Sequence, residues 1–204
     1  MLGAIVLGVV LLGATSARAD SLQSQPNIVD LINDAEIILR GNVVEVTDGF
    51  DENNLPYTEV KLQVKETLKG GVSGEYTFRQ FGLLKPRSIN GKTYLGVTPN
   101  GWATYSADED VVLFLYKAAS LSGLRTTAGL NNGKFAITAG NAMSQSDNLG
   151  LFQNVAVDQS LLNDNDKRLF ATKKGAVNAD SLLSFVRRAV NDKWIERGKM
   201  RRAN

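Results

Sequence analysis

The chain of 204 residues contains no cysteine and no histidine. The first absence excludes disulfide scaffolds, thiol nucleophiles and cysteine-based zinc sites. The second removes Ser-His-Asp triads and imidazole proton shuttles. No Ser-x-x-Lys occurs, so a serine–lysine dyad has no sequence support. There is also no Asn-x-Ser/Thr sequon. No stretch after the first residues is long or apolar enough for a membrane span, and no span is expected.

What is present begins with an apolar run over residues 1–13, followed by Ala17-Arg18-Ala19 and Asp20. Small residues three and one positions before a junction are what a signal peptidase pocket admits. The apolar run is shorter than the roughly 20 residues that cross a bilayer as a helix. We therefore expect residues 1–19 to be a signal peptide and the protein to be secreted or periplasmic. A domain lacking disulfides must then be held by its core, which the remaining length allows.

The net charge of +2 is unevenly placed. After residue 184, Arg187, Arg188, Lys193, Arg197, Lys199, Arg201 and Arg202 face only Asp192 and Glu196. The tail is thus basic and the body slightly acidic. An acidic body gives no footprint for nucleic acid, and none is expected as a partner. The basic tail is expected to be a solvated helix end, its alternative being weak contact with an anionic surface.

Along the chain, Ile28, Leu31, Ile32 and Ala35 are spaced as the apolar face of a short helix. Residues 36–46 read as a strand with Gly41 as a bulge or close approach, and residues 47–56 as a loop. Val60, Leu62 and Val64 alternate with polar residues, the period-2 pattern of a strand over 58–68. A further strand is expected before Phe81, and residues 86–101 form a long excursion. The run from Val111 to Tyr116 is apolar at every position, so both faces of this strand must be covered or a barrel must close. Asn132-Gly133 reads as a hairpin turn. A closing helix capped by Asp180 or Ser181 carries Leu182, Phe185, Val186, Ala189, Val190 and Trp194. This order predicts a mainly β (α+β) chain, a small barrel or sandwich with helices packed outside. The expected division is a signal peptide over 1–19, a β-barrel domain over 20–140, an irregular extension over 141–177, and a C-terminal helix with basic tail over 178–204.

Several phrases together are similar to uncharacterised exported bacterial domains reminiscent of the netrin-like (tissue-inhibitor-of-metalloproteinase) OB-fold. They are Ala35-Glu36-Ile37-Ile38-Leu39-Arg40-Gly41-Asn42-Val43, the strand ending Leu68-Lys69-Gly70, Asp110-Val111-Val112-Leu113-Phe114-Leu115, and Gly133-Lys134-Phe135. The resemblance implies an OB or netrin-like barrel, an exported address and a non-catalytic role. Netrin-like inhibitors chelate a protease's zinc through a terminal cysteine amine. This chain has no cysteine, so that activity does not transfer and no site residue comes with the resemblance.

Candidate chemistry is correspondingly sparse. Asp48, Asp51 and Glu52 share a loop, but the spacing is not that of an EF-hand, and a solvated turn is expected. Asn163-Asp164-Asn165-Asp166 is expected to be a loop or helix cap. Gly70-Gly71-Val72-Ser73-Gly74 lacks the lysine of a phosphate loop. Trp102 and Tyr105, in the glycine-bearing excursion, are the candidate ligand-binding residues; the other expectation for them is that they cap the barrel. No catalytic residue, metal or cofactor is expected. The function read from the sequence is a non-enzymatic exported module binding a protein, glycan or envelope component. Its alternatives are a hydrolase with paired carboxylates and a surface protein assembling through strand edges.

Overall fold

The computed structural model describes residues 25–89, 91–94 and 98–203; the expected signal peptide lies outside them. The chain is mainly β, built on one large antiparallel sheet with three helices.

The first helix, α1 (Ile28–Asp34), starts where Asn27 accepts hydrogen bonds from the Val29 and Asp30 amides while Asp30 accepts one from the Asn27 amide. This reciprocal box satisfies donors that a helix start leaves open. At its other end the Lys69 ammonium donates to the Ile32 carbonyl at 2.8 Å, a cation placed on the negative end of the helix dipole. The chain then enters two fourteen-residue strands, β1 (Ile37–Phe50) and β2 (Pro56–Lys69). β1 continues through residues read above as a loop, because Asp51 closes the hairpin by accepting from the Asn53 and Leu55 amides. Their pairing shifts register at three places, one of them between Arg40 and Gly41; such irregularities add twist and curl.

β3 (Glu75–Phe81) completes a meander. The excursion that follows contains a small hairpin of β4 (Arg87–Ile89) and β5 (Lys92–Tyr94). β6 (Asp110–Leu115) returns to pair with β1, then β7 (Lys134–Thr138) and β8 (Asn141–Ser144) follow. Asn132-Gly133 is not their hairpin. It belongs to a 3-10 turn over Leu130–Gly133, and the hairpin turns at Ala139 and Gly140, both left-handed with φ of 48° and 78°. Two left-handed residues match the twist of the strands, but alanine there hides the signal.

Residues 141–177 are not irregular. They hold β8, β9 (Val155–Val157), α2 (Asp164–Ala171) and the first residue of the short β10 (Val177–Asn178). The sheet runs β10-β8-β7-β6-β1-β2-β3, so it crosses the boundary expected at residue 140. Short strands joined by Asn- and Gly-rich turns give too few alternating positions for the pattern to show.

The last helix, α3 (Ala179–Asn191), is capped by Asn178, whose side chain accepts from the Ser181 amide. The expected Asp180 and Ser181 lie inside it. It stops before Trp194, because the Lys193 amide bonds the Val190 carbonyl and the Trp194 amide bonds that of Ala189. Lys193 is left-handed at φ 52°, which completes a Schellman cap. Trp194 folds back, 2% exposed, against Phe185. The tail then forms β11 (Met200–Arg202) on β9, and is not a frayed helix end.

Both faces of the sheet are covered, as the uninterrupted apolar run of β6 requires. Val112 and Phe114 pack with α1 and α3 in one cluster; Val111, Leu113 and Leu115 pack with Leu39, Val60, Leu62 and Phe78 in a second. No strand pairing closes the sheet into a barrel among the described residues. The segment after β6 bridges the gap: Tyr116 donates to the Thr126 carbonyl, and Arg125 donates to the Arg79 carbonyl of β3 at 2.8 Å.

Candidate functional site

The excursion between β5 and β6 runs inward again at Gly101. Ala103 and Tyr105 enter the second core, held by the Gln80 side chain donating to the Ala103 carbonyl at 3.0 Å. Tyr105 is thus folded back into the core, the second of the two expectations stated for it, and is not at the surface as a ligand-binding residue. It is 6% exposed, edge-on to Phe78, with the Lys134 ammonium over its ring. Burial pushes its phenol well above the ordinary value. The glycine-bearing excursion folds back because its apolar residues complete a core that the sheet alone leaves open.

Trp102 points to a different environment. It is half-buried and lines a groove of about 300 Å³ together with Phe81, Tyr116, Leu124, Lys117 and Arg125. Thus the structure separates the two residues paired by the sequence reading. The groove stands where β3 meets the crossover after β6. Its wall is fixed by the Arg125–Arg79 backbone bond and by the Arg125–Glu36 ion pair at 3.3 Å.

Tyr116 also lines a second, larger cavity of about 580 Å³. Here its hydroxyl accepts a hydrogen bond from the Gly129 amide at 3.2 Å, and the Asn131 amide bonds the Gly101 carbonyl at 2.9 Å. Asp30, Asp34, Asn131, Asn132 and Arg202 supply polar side chains to this cavity. Asp30 is ion-paired with Arg202 and already serves the cap of α1. Asp34 lies at the exposed end of that helix. The two cavities share Tyr116 as a lining residue, with Gly101 lining one and Trp102 the other. The smaller has aromatic residues in its wall, and the larger has amide- and carboxylate-bearing residues.

Chemically, the groove can stack an apolar ring face, and the larger cavity can hydrogen-bond polar groups. Asp30 and Asp34 are the only carboxylates lining it among the described residues. A hydrolytic pair needs one acid held protonated in an apolar pocket. Asp30 is instead paired with the Arg202 guanidinium and accepts from the Asn27 amide. None of the described residues gathers three or more metal-ligating acids. In the loop that suggested calcium, Asp48 is spent on the Leu84 amide and Arg87, and Asp51 on its own turn. Asn163 caps α2 in a second reciprocal box with Asp166.

The residues sequence reasoning missed are Asp34, Tyr116, Asn131 and Arg202. They come from four separate segments, and no spacing in the sequence links them. Compared with known proteins, the chain matches no family model and no curated relative.

Proposed function

We propose that this chain is an exported, non-enzymatic binding module whose aromatic groove and neighbouring polar cavity together take a glycan, a pyranose ring lying on Trp102 and hydroxyls reaching Asn131 and Asp34. The observation that carries this reading is that an aromatic groove and a polar cavity share Tyr116 as a wall. Pockets that orient a small ligand combine apolar walls with a few polar groups, and ring faces with peripheral hydroxyls fit both ends. The scaffold is read as a netrin-like barrel. Its support is the order β7-β6-β1-β2-β3, the enclosed second core and the Arg125–Arg79 bond across the seam.

A second reading, hydrolysis by Asp30 and Asp34, rests on their sharing the cavity. The Arg202 pairing of Asp30 weighs against it.

Intrinsic fluorescence tests the proposal, since the chain has two tryptophans and Trp194 is 2% exposed in the core. Titration with soluble cell-wall and capsular oligosaccharides is expected to change Trp102 emission. Trp102→Ala is expected to weaken binding more than about tenfold, as truncating a central aromatic does. Unchanged binding in Trp102→Ala, or no response to any saccharide, refutes the glycan reading. Turnover of a bound saccharide that Asp34→Asn abolishes establishes the hydrolase instead.

A further inference from the structure

The tail seen in the sequence as a basic helix end is a folded platform. After the Schellman cap, the Arg197 amide bonds the Lys193 carbonyl, and the Lys199 and Met200 amides both bond that of Trp194. β11 pairs with β9 through Met200↔Val157 and Arg201↔Ala156. Met200 is buried while Lys199 and Arg201 on either side of it are exposed, the alternation of a strand showing one face to solvent. Lys193 and Arg197 are exposed on the turn just before. Among the described residues, none of these four cations is ion-paired. Their acidic neighbours in the chain and across β9 are Asp192, Glu196 and Asp158. Asp158 feels the charge of Lys199, and Glu196 that of Lys69.

Lys193 is one of eight described non-glycine residues with positive φ. It occupies the left-handed position of the cap at φ 52°, where glycine is the unstrained choice. None of the four cations lines the cavities described above, and they sit on a turn and an outward strand face. Such a surface suits a plane of charge better than a threaded chain.

We infer that Lys193, Arg197, Lys199 and Arg201 dock the protein onto an anionic lipid bilayer surface through headgroup phosphates. Each cation near such a surface contributes about fivefold in affinity at moderate salt, and the attraction is screened over the Debye length, about 8 Å at physiological ionic strength.

The test is cosedimentation of the full chain with vesicles of phosphatidylglycerol and phosphatidylcholine, against phosphatidylcholine alone. We expect binding to the anionic vesicles only, lost at high salt. Lys193→Gly relieves the left-handed strain, so its thermal midpoint should hold or rise while vesicle affinity falls about fivefold. Arg197→Glu with Lys199→Glu should abolish sedimentation with an unchanged circular dichroism spectrum. Equal binding to neutral vesicles, no binding by the native chain, or binding to dextran sulfate without binding to vesicles overturns the inference. Undiminished vesicle affinity in Lys193→Gly does so as well.

Discussion

The Lys134 ammonium lies 4.9 Å from the centroid of the Tyr105 ring and 2.5 Å from a carboxylate oxygen of Glu109. It also donates to the Thr104 carbonyl, and its side chain is only 5% exposed. A lysine this deep needs partners that replace water. The group ties the inward-turning excursion to the start of β7. Lys134→Ala is expected to cost about 2–3 kcal/mol, since it strands a partly buried carboxylate and removes the cation from the ring. Urea denaturation gives the value. A loss under about 0.5 kcal/mol, the scale of an exposed pair, would mean the contact is decorative.

Gly41 tests the curl of the sheet. A Cβ there would lie 2.7 Å from the Gln63 carbonyl oxygen of β2, backbone that cannot rotate away. Gly41→Ala should therefore destabilise by about 1–3 kcal/mol, the range for overpacking, and disturb the register shift beside Arg40. A stability equal to the native chain in chemical denaturation would show that β1 and β2 separate freely at this point.

Asp110 predicts a pH dependence. Burial works against its ionisation, but hydrogen bonds and charge from Arg40 and Lys65 outweigh that and hold the carboxyl below its ordinary value. A carboxyl depressed in the folded state contributes stability that is full above its unfolded value, about 3.9. That contribution is lost as pH falls through the folded value. Asp110→Asn should thus be less stable than the native chain at neutral pH, and the gap should narrow below about pH 4. Denaturant midpoints measured from pH 2 to 7 decide this; a gap constant over the whole range contradicts the assignment.

Much of the framework was legible in the residues. Apolar spacing at 28, 31, 32 and 35 marks α1, and alternation at 60, 62 and 64 marks β2. The two-sided apolarity of β6 demanded covered faces, and both are covered. Other boundaries were hidden where a single residue overrides a pattern. Asp51 closes a hairpin inside an expected loop, Ala139 takes a left-handed turn usually given to asparagine, and Lys193 ends a helix where the apolar period continues to Trp194.

The candidate site was much less legible. Trp102 could be named because an aromatic beside glycine in a long excursion is conspicuous, but Tyr105 beside it went to the core. That difference depends on which side of the excursion meets the sheet, a matter of packing and not of composition. By itself, the sequence determined the available chemistry, the strand and helix periods, and the position of the basic tail, because these follow from side-chain types and local spacing. The tertiary structure alone decided that Tyr116 lines both an aromatic groove and a polar cavity, and that the tail cations sit on a folded strand and turn, because those relations are made by backbone pairing between segments far apart in the chain.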